Sequence, residues 1–227
     1  MKPYIICHMM TSVDGRIDCA MVDQLDPTDA YYETLDRLEC PSQLMGRVTM
    51  QMHYADSLPF VPSCNEAIGH EDVFVGTPSA GYTIAIDTYG RLSWPGYCYD
   101  GKPLLVITSE RCSKIYLETL TRRGIAWIAV GADRIDLPRA MEILNHDFGV
   151  QRLALLGGGH INGAFLEAGL IDEVSLMLSG GIDGRKGMPA VFDGIDDANR
   201  NPVLLTIQSV EQLNQHSVWI RYKIENE

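Results

Sequence analysis

The 227-residue chain lacks several features that mark whole classes of protein. Its six cysteines are scattered without any C-x-x-C pair and follow no secretory signal, which predicts reduced, mostly buried thiols. Basic residues are the minority, with 18 Lys and Arg against 30 Asp and Glu and a formal net charge of −12. Such a surface repels phosphate backbones and anionic lipid, so we expect no nucleic-acid or membrane partner.

Long hydrophobic runs are also missing. The apolar stretch before Thr11 is too short for the core of a signal peptide and carries no small-residue cleavage site. No other run approaches the roughly 20 apolar residues of a membrane span. We therefore expect a cytoplasmic protein.

Two common catalytic signatures are absent as well. The six histidines show no H-E-x-x-H pattern or clustered spacing, so we expect no metal site. A G-x-S-x-G nucleophile elbow is not found either, because the glycines at 76 and 81 have the wrong spacing. The candidate functional residues are therefore those in the loops that follow the predicted strands.

Hydrophobic period and turn residues indicate strands that alternate with helices. The predicted strands are Tyr4–Met10, Gln43–Met45, Asp72–Val75, Thr83–Asp87, Leu104–Thr108, Ala126–Val130, Arg152–Leu156, Val174–Leu178, Val203–Val210 and Ser217–Ile224. The predicted helices are Thr28–Leu38, Ser113–Arg123, Pro138–Phe148 and Asn162–Ala168. This alternation predicts one α/β domain, residues 1–227, with a largely parallel sheet covered on both faces. The last two strands, with no helix between them, predict a terminal antiparallel hairpin, and residues 55–81 read as a long ordered loop.

A run of three glycines, Gly157, Gly158 and Gly159, joins the predicted strand at 152–156 to a helix. Three glycines let backbone N–H groups converge and let a ligand come close, as a pyrophosphate requires. A tight turn with nothing bound is the alternative. The spacing is not G-x-G-x-x-G, and the next strand ends in Ser179 without the acid that holds a ribose hydroxyl, so the loop is not a Rossmann fingerprint. The missing acid leaves room for a cofactor with a 2′-phosphate.

Three more polar segments follow predicted strands, where open α/β sheets bind ligands. Residues 11–16 read Thr-Ser-Val-Asp-Gly-Arg, and an ordinary Asp-Gly turn is the alternative there. After Gly46, Arg47 and Thr49 offer a guanidinium and a hydroxyl at a helix start, which suit a phosphate unless Arg47 is merely solvated. Ser109 comes directly after the predicted strand that ends at Thr108. It is predicted either to contact a ligand or to cap the helix that follows.

Read together, Ser-x-Asp-Gly-Arg, Met-Gly-Arg-x-Thr and Leu-Leu-Gly-Gly-Gly-His-Ile-Asn-Gly-Ala-Phe-Leu-Glu-Ala-Gly resemble the reductase domain of the riboflavin-biosynthesis deaminase/reductase family. The resemblance implies a stand-alone member with the three-layer dihydrofolate reductase-like fold, a homodimer, and NADPH-dependent reduction of the ribosyl group of a pyrimidine 5′-phosphate. A pterin or other heterocycle is the alternative substrate.

The resemblance also implies residue roles. Thr11 would lie by the nicotinamide, and Ser12 and Asp14 near the reacting end, with Asp14 or ordered water as the proton source. The residues implied to hold the cofactor's phosphates are Arg47, Thr49, Ser109, Gly157, Gly158, Gly159, Ile161 and Asn162.

The chain departs from the family's pattern at two places. Leu156 stands where family reductases commonly carry a Glu, and the segment after Thr49 lacks the Asp-Asp-Pro with a following Arg that recognises the substrate phosphate. These departures favour a second hypothesis of another class, a non-catalytic nucleotide-binding or sensor protein that kept the cofactor loop.

Overall fold

The computed structural model describes residues 1–25 and 29–225. Its strands are β1 Tyr4–Ser12, β2 Ser42–Gly46, β3 Asp72–Phe74, β4 Thr83–Ile86, β5 Cys98–Tyr99, β6 Lys102–Thr108, β7 Ala126–Ala129, β8 Arg152–Leu155, β9 Glu173–Ser179, β10 Leu205–Gln212 and β11 Ser217–Ile224. Its helices are α1 Cys19–Leu25, α2 Ala30–Asp36, α3 Arg47–His53, α4 Lys114–Arg122, α5 Leu137–His146 and α6 Gly159–Glu167.

Every predicted strand and helix has a counterpart among these elements, with shifted ends. The predicted start of the second helix, Thr28, lies outside the described residues. Helix α6 begins at Gly159 rather than at Asn162, since the glycine turn itself forms the first turn of the helix. Two short elements, α1 and β5, were not predicted. Their seven and two residues are too few to show a hydrophobic periodicity.

Two compact units make up the chain, one of residues 1–3 and 41–153 and the other of residues 4–40 and 154–227. The expectation of a single domain over 1–227 stays a prediction. Each unit is described in turn.

The first unit contains a mostly parallel sheet. Strands β2, β4, β6 and β7 pair in parallel in that order, β3 adds to β7 in antiparallel fashion, and β5 pairs with β6. The central strands are apolar on both faces, and all four residues of β4 and β7 are buried. Because the parallel strands share a direction, residues 46–49, 87–88 and 109 follow their carboxyl ends at one edge of this sheet.

The second unit carries the predicted terminal hairpin. Strand β1 pairs with β9 in parallel and lies next to β8, while β11 is antiparallel to β9 and β10 is antiparallel to β11. An apolar cluster around Ile6, Leu38 and Trp219 is buried here. Burial of this apolar surface favours the observed register of β1 against β9 and of β9 against β11.

No helix in the described part of the chain is long and apolar enough to cross a membrane. The same residues hold no group of three or more His, Cys, Asp or Glu side chains that could bind a metal ion. The cysteines at 7, 40 and 112 are buried, Cys19 is half-buried, and Cys64 and Cys98 are exposed. The prediction of mostly buried thiols therefore holds for only half of them.

Candidate functional site

The loop after β1 is closed by its own hydrogen bonds. The Thr11 hydroxyl, 2% exposed, donates to the carbonyl of Arg16 at 3.1 Å, and the Ser12 hydroxyl accepts the Arg16 N–H at 3.0 Å. The Ser12 hydroxyl itself donates to the Asp14 carboxylate at 2.7 Å. Gly15 completes the turn with φ of 78°, a left-handed conformation that favours glycine. The hydroxyls of Thr11, predicted to lie by the nicotinamide, and of Ser12, predicted to lie near the reacting end, are thus both hydrogen-bonded within this loop.

The Asp14 carboxylate is the acceptor for several donors at once. It accepts the backbone N–H groups of Asp183 at 3.0 Å and of Gly184 at 2.9 Å, besides the Ser12 hydroxyl. These hydrogen bonds, with that of Gly184 the largest cause, hold the pKa of Asp14 well below its usual range. A carboxyl that stays ionised carries no proton to donate, so the geometry does not support Asp14 as the proton source.

Residues 180–194, which follow β9, form a segment that we call the strap. The strap runs along the loop after β1: the Val13 N–H donates to the Gly181 carbonyl at 2.8 Å, and the Arg16 guanidinium donates to the Met188 carbonyl at 2.7 Å. The Ile17 N–H donates to the Pro189 carbonyl at 3.1 Å. The strap is therefore anchored to this loop along most of its length.

The turn between β8 and α6 contains Gly157, Gly158 and Gly159, and these three glycines differ in backbone conformation and in the space around them. Gly157 has φ of 84°, and a Cβ there would lie 2.8 Å from the methyl group of Met9. A Cβ on Gly159 would lie 2.2 Å from the Ala190 carbonyl oxygen of the strap. Gly158 has φ of −73° and ψ of −170°, backbone angles that any residue can adopt. A side chain is thus excluded at Gly157 and at Gly159, and the prediction that the three glycines bind a ligand stays a prediction.

Helix α6 presents its N-terminus at Gly158, the N-cap residue. The first N–H groups of a helix have no intrahelical acceptor, and together with the helix dipole they favour an anion. Ile161 is half-buried in the first turn of this helix. The Asn162 side chain is fully buried, donates from Nδ2 to the Val191 carbonyl at 2.8 Å, and keeps its Oδ1 without a hydrogen-bond partner among the described residues.

The second unit therefore brings together two of the predicted motifs. The loop of Ser12 and Asp14 and the turn of Gly157 to Asn162 are both hydrogen-bonded to the strap. Sequence reasoning did not find the strap, because residues 180–194 lack period and motif. Chemically, the arrangement offers an anion-binding helix start beside one buried amide oxygen that can accept a hydrogen bond.

The first unit holds the other predicted residues at the carboxyl edge of its sheet. Arg47 is exposed and Thr49 half-buried on α3. Ser109 is fully buried, and its hydroxyl donates to the Thr88 carbonyl at 2.7 Å. The cap of α4 is instead Ser113, whose side chain accepts the Tyr116 N–H. Ser109 is therefore not the cap of α4, and its contact with a ligand stays a prediction.

Asp87 is a residue of this edge that the sequence reasoning left as the end of a strand. It is 1% exposed and accepts the Leu92 N–H at 2.8 Å and the Tyr116 hydroxyl at 3.2 Å, while Oδ1 is buried without a partner among the described residues. Burial raises its pKa, and the Arg47 charge opposes that rise. An acid directly after the apolar run Thr-Ile-Ala-Ile was the available signal.

Leu156, the residue that departs from the family's pattern, is half-buried. It packs against the apolar cluster that contains Ile6, Leu38 and Trp219. An ionised Glu in that apolar position would be costly without a partner.

Comparison with known proteins identifies relatives over nearly the whole chain. The family model described as the RibD C-terminal domain matches residues 3–218. A 2,5-diamino-6-ribosylamino-4(3H)-pyrimidinone 5′-phosphate reductase of Methanothermobacter thermautotrophicus is 25% identical over 205 residues, which cover 86% of this chain and 85% of the relative. A protein of the same name from Aquifex aeolicus is 29% identical over 92 residues, 40% of this chain and 41% of the relative.

Solved structures agree on the fold. RibD of Acinetobacter baumannii, form 2, matches 99% of this chain with a TM-score of 0.73 at 18% identity, and this chain spans only 58% of that protein. A pyrimidine reductase-like protein of Corynebacterium diphtheriae matches with a TM-score of 0.73 at 16% identity, over 99% of this chain and 93% of the other. These matches confirm the predicted dihydrofolate reductase-like α/β class.

Proposed function

Because the chain belongs to the RibD C-terminal domain family, we propose that it is an NADPH-dependent reductase of riboflavin biosynthesis. The substrate that we propose is 2,5-diamino-6-ribosylamino-4(3H)-pyrimidinone 5′-phosphate, the compound that appears in the names of two relatives. The proposal that the protein binds NADPH is supported by the start of α6. There Gly158, the N-cap residue, leaves room for an anion, and the buried Oδ1 of Asn162 has no hydrogen-bond partner among the described residues. A buried amide oxygen without a partner is costly, and a bound cofactor with donors would satisfy it.

In this proposal the N–H groups at the start of α6, around Gly158 and Ile161, bind the pyrophosphate, and the Asn162 Oδ1 accepts a hydrogen bond from a donor group of the cofactor. The roles of Arg47 and Ser109 toward the 2′-phosphate, of Thr49 toward the other phosphates and of Thr11 toward the nicotinamide rest on the family resemblance. Gly157 and Gly159 support the turn, because the positive φ of one and the strap contact of the other demand glycine.

NADPH, when bound, supplies a hydride for the carbonyl or imine carbon of the opened sugar. The protein's own contribution is to position the two reactants and to exclude water. Since Asp14 is ionised, we assign the accompanying proton to an ordered water, with the buried Ser12 hydroxyl committed to the loop.

The test combines binding and turnover on the purified protein. Thermal unfolding is followed with NADPH, with NADH and without cofactor, and NADPH oxidation is then measured with the pyrimidine phosphate and with a pterin. A higher melting temperature with NADPH and its oxidation by the pyrimidine phosphate are expected. If neither cofactor raises the melting temperature, the proposal is wrong.

The packing of Leu156 against apolar side chains favours a second candidate, a nucleotide-binding sensor without turnover. Protection by NADPH without oxidation by any candidate substrate would support the sensor over the reductase.

We also propose that the protein forms a homodimer through β10. All eight residues of this strand are exposed, including Ile207 at 59% and Val210 at 60%. An exposed, apolar edge strand exposes free backbone groups to a further strand, and a second copy of β10 can pair with it antiparallel around a twofold axis.

A further inference from the structure

The strap is fixed at both of its ends, and Asp14 provides the first anchor. The backbone N–H groups of Asp183 and Gly184 both point to its carboxylate, at 3.0 and 2.9 Å. Directly afterwards, the Arg185 guanidinium binds Asp183 and reaches Asp18 at 2.6 Å. The Asp14 carboxylate accepts the Ser12 hydroxyl of the loop after β1 and two consecutive backbone N–H groups of the strap. It adds to the bonds that Val13, Arg16 and Ile17 make with strap carbonyls.

The second anchor is helix α6. The Asp193 N–H donates to the Gly159 carbonyl at 3.1 Å, and the Val191 carbonyl accepts the Asn162 Nδ2 at 2.8 Å. The fit is close, since a Cβ on Gly163 would lie 2.0 Å from the Asp193 carbonyl oxygen. Movement of the strap therefore moves the acceptor that orients Asn162.

We propose that Asp14 is a positioning residue, whose carboxylate holds the strap and through it fixes Asn162 and the start of α6. Its consequence for cofactor binding rests on the proposed function; its effect on the strap does not. The residue acts at a distance from the helix start, through backbone hydrogen bonds rather than by contact with a reacting atom.

Charge makes these bonds stronger than those of a neutral acceptor. A carboxylate accepting N–H groups forms charge-assisted hydrogen bonds, roughly twice as strong as neutral ones. The cation nearest to it is Arg16, with Nε 3.9 Å from Asp14. Arg185 is engaged by Asp183 and Asp18 instead, so the backbone groups remain the main partners of Asp14.

Limited proteolysis tests the strap without reference to function. Arg185 and Lys186 are exposed within it, so trypsin cleavage after them reports the opening of the strap. We expect Asp14→Asn to raise this cleavage rate about tenfold in the folded protein, and the matched control Asp133→Asn, which removes an exposed acid paired with Arg111, to leave it unchanged. Cleavage of Asp14→Asn at the wild-type rate would overturn the proposal.

Hydrogen exchange on the wild type keeps the proposal testable if Asp14→Asn fails to fold. The amides of Asp183 and Gly184 lie on an exposed segment and should nevertheless exchange slowly, since the carboxylate accepts both. Exchange of these two amides at the rate of an unprotected peptide would overturn the proposal.

NADPH binding then tests the coupling to α6. In Asp14→Asn we expect the dissociation constant and the KM for NADPH to rise about tenfold, while the pH profile of kcat keeps its shape. Faster cleavage with unchanged NADPH affinity would overturn the positioning role, and loss of one limb of the pH profile would make Asp14 a proton donor. If the wild type itself binds no NADPH while the proteolysis result holds, the proposed function fails and the anchoring of the strap stands.

Discussion

At the scale of single residues, the three consecutive glycines show how far sequence can be read. The sequence predicted a turn that binds a phosphate, and the turn is present between β8 and α6. The sequence could not tell which of the three positions requires glycine. The atoms that leave no room for a side chain at 157 and 159 belong to Met9 and Ala190, which are distant in the sequence. The fold therefore explains two of the glycines, and the ligand role of Gly158 is a proposal.

This assignment gives a prediction for Gly158→Asp. The backbone angles at Gly158 are ones that any residue can adopt, so the variant should still fold, while its carboxylate should repel a pyrophosphate and lower NADPH affinity at least about tenfold. Gly158→Ala adds bulk without charge and should weaken binding less. Isothermal titration measures both variants, and wild-type affinity in Gly158→Asp would remove the turn from the site.

His8 gives a residue-scale prediction on pH. It is fully buried, bonded to the Ser175 hydroxyl at 2.9 Å and stacked on Tyr31, and burial lowers its pKa to about 4. The unfolded chain binds this proton near pH 6.5, so the free energy of unfolding should fall by roughly 3 kcal/mol as pH drops from about 6.5 to about 4. Urea unfolding should show this fall in the free energy of unfolding in wild type and not in His8→Gln. An equal fall in both proteins would show that His8 does not cause it.

At the scale of elements, the helix boundaries follow from capping chemistry more than from period. The apolar spacing predicted α4 at Ser113–Arg123, and the helix runs from Lys114 to Arg122 because Ser113 adopts an extended backbone and caps it. The strap had no such signal, since its conformation depends on the Asp14 carboxylate and on α6 rather than on its own residues. Elements that depend on distant partners are therefore the part that sequence reasoning missed.

The cap of α4 is open to a direct measurement. Ser113→Ala removes the side-chain oxygen that accepts the Tyr116 N–H and should lower the free energy of unfolding by about 1 kcal/mol. Ser113→Asn restores an acceptor of similar reach and should recover most of that loss. Urea titration of the three proteins compares them, and equal stability of Ser113→Ala and wild type would show that the cap contributes nothing.

At the scale of the whole molecule, the alternation of strands and helices was enough to predict the α/β class and the terminal hairpin. What the pattern could not show was the exposure of β10, because an apolar, strand-like run gives no sign of whether a neighbouring element covers it. An exposed strand of this composition is an edge that proteins normally cover. In the proposed homodimer, a second copy covers it.

The dimer can be tested by light scattering coupled to gel filtration. The chain has a mass of 25.2 kDa, so wild type should elute with a mass of about 50 kDa. Like charges on the strand, as in the double variant Ile207→Lys with Val210→Lys, should repel across the pair and shift the mass to that of one chain. The single chain should stay folded, because both side chains are exposed in it. Leu58→Lys, at another exposed apolar residue, is the matched control and should stay dimeric. A monomeric wild type, or a dimeric double variant, would exclude β10 as the interface.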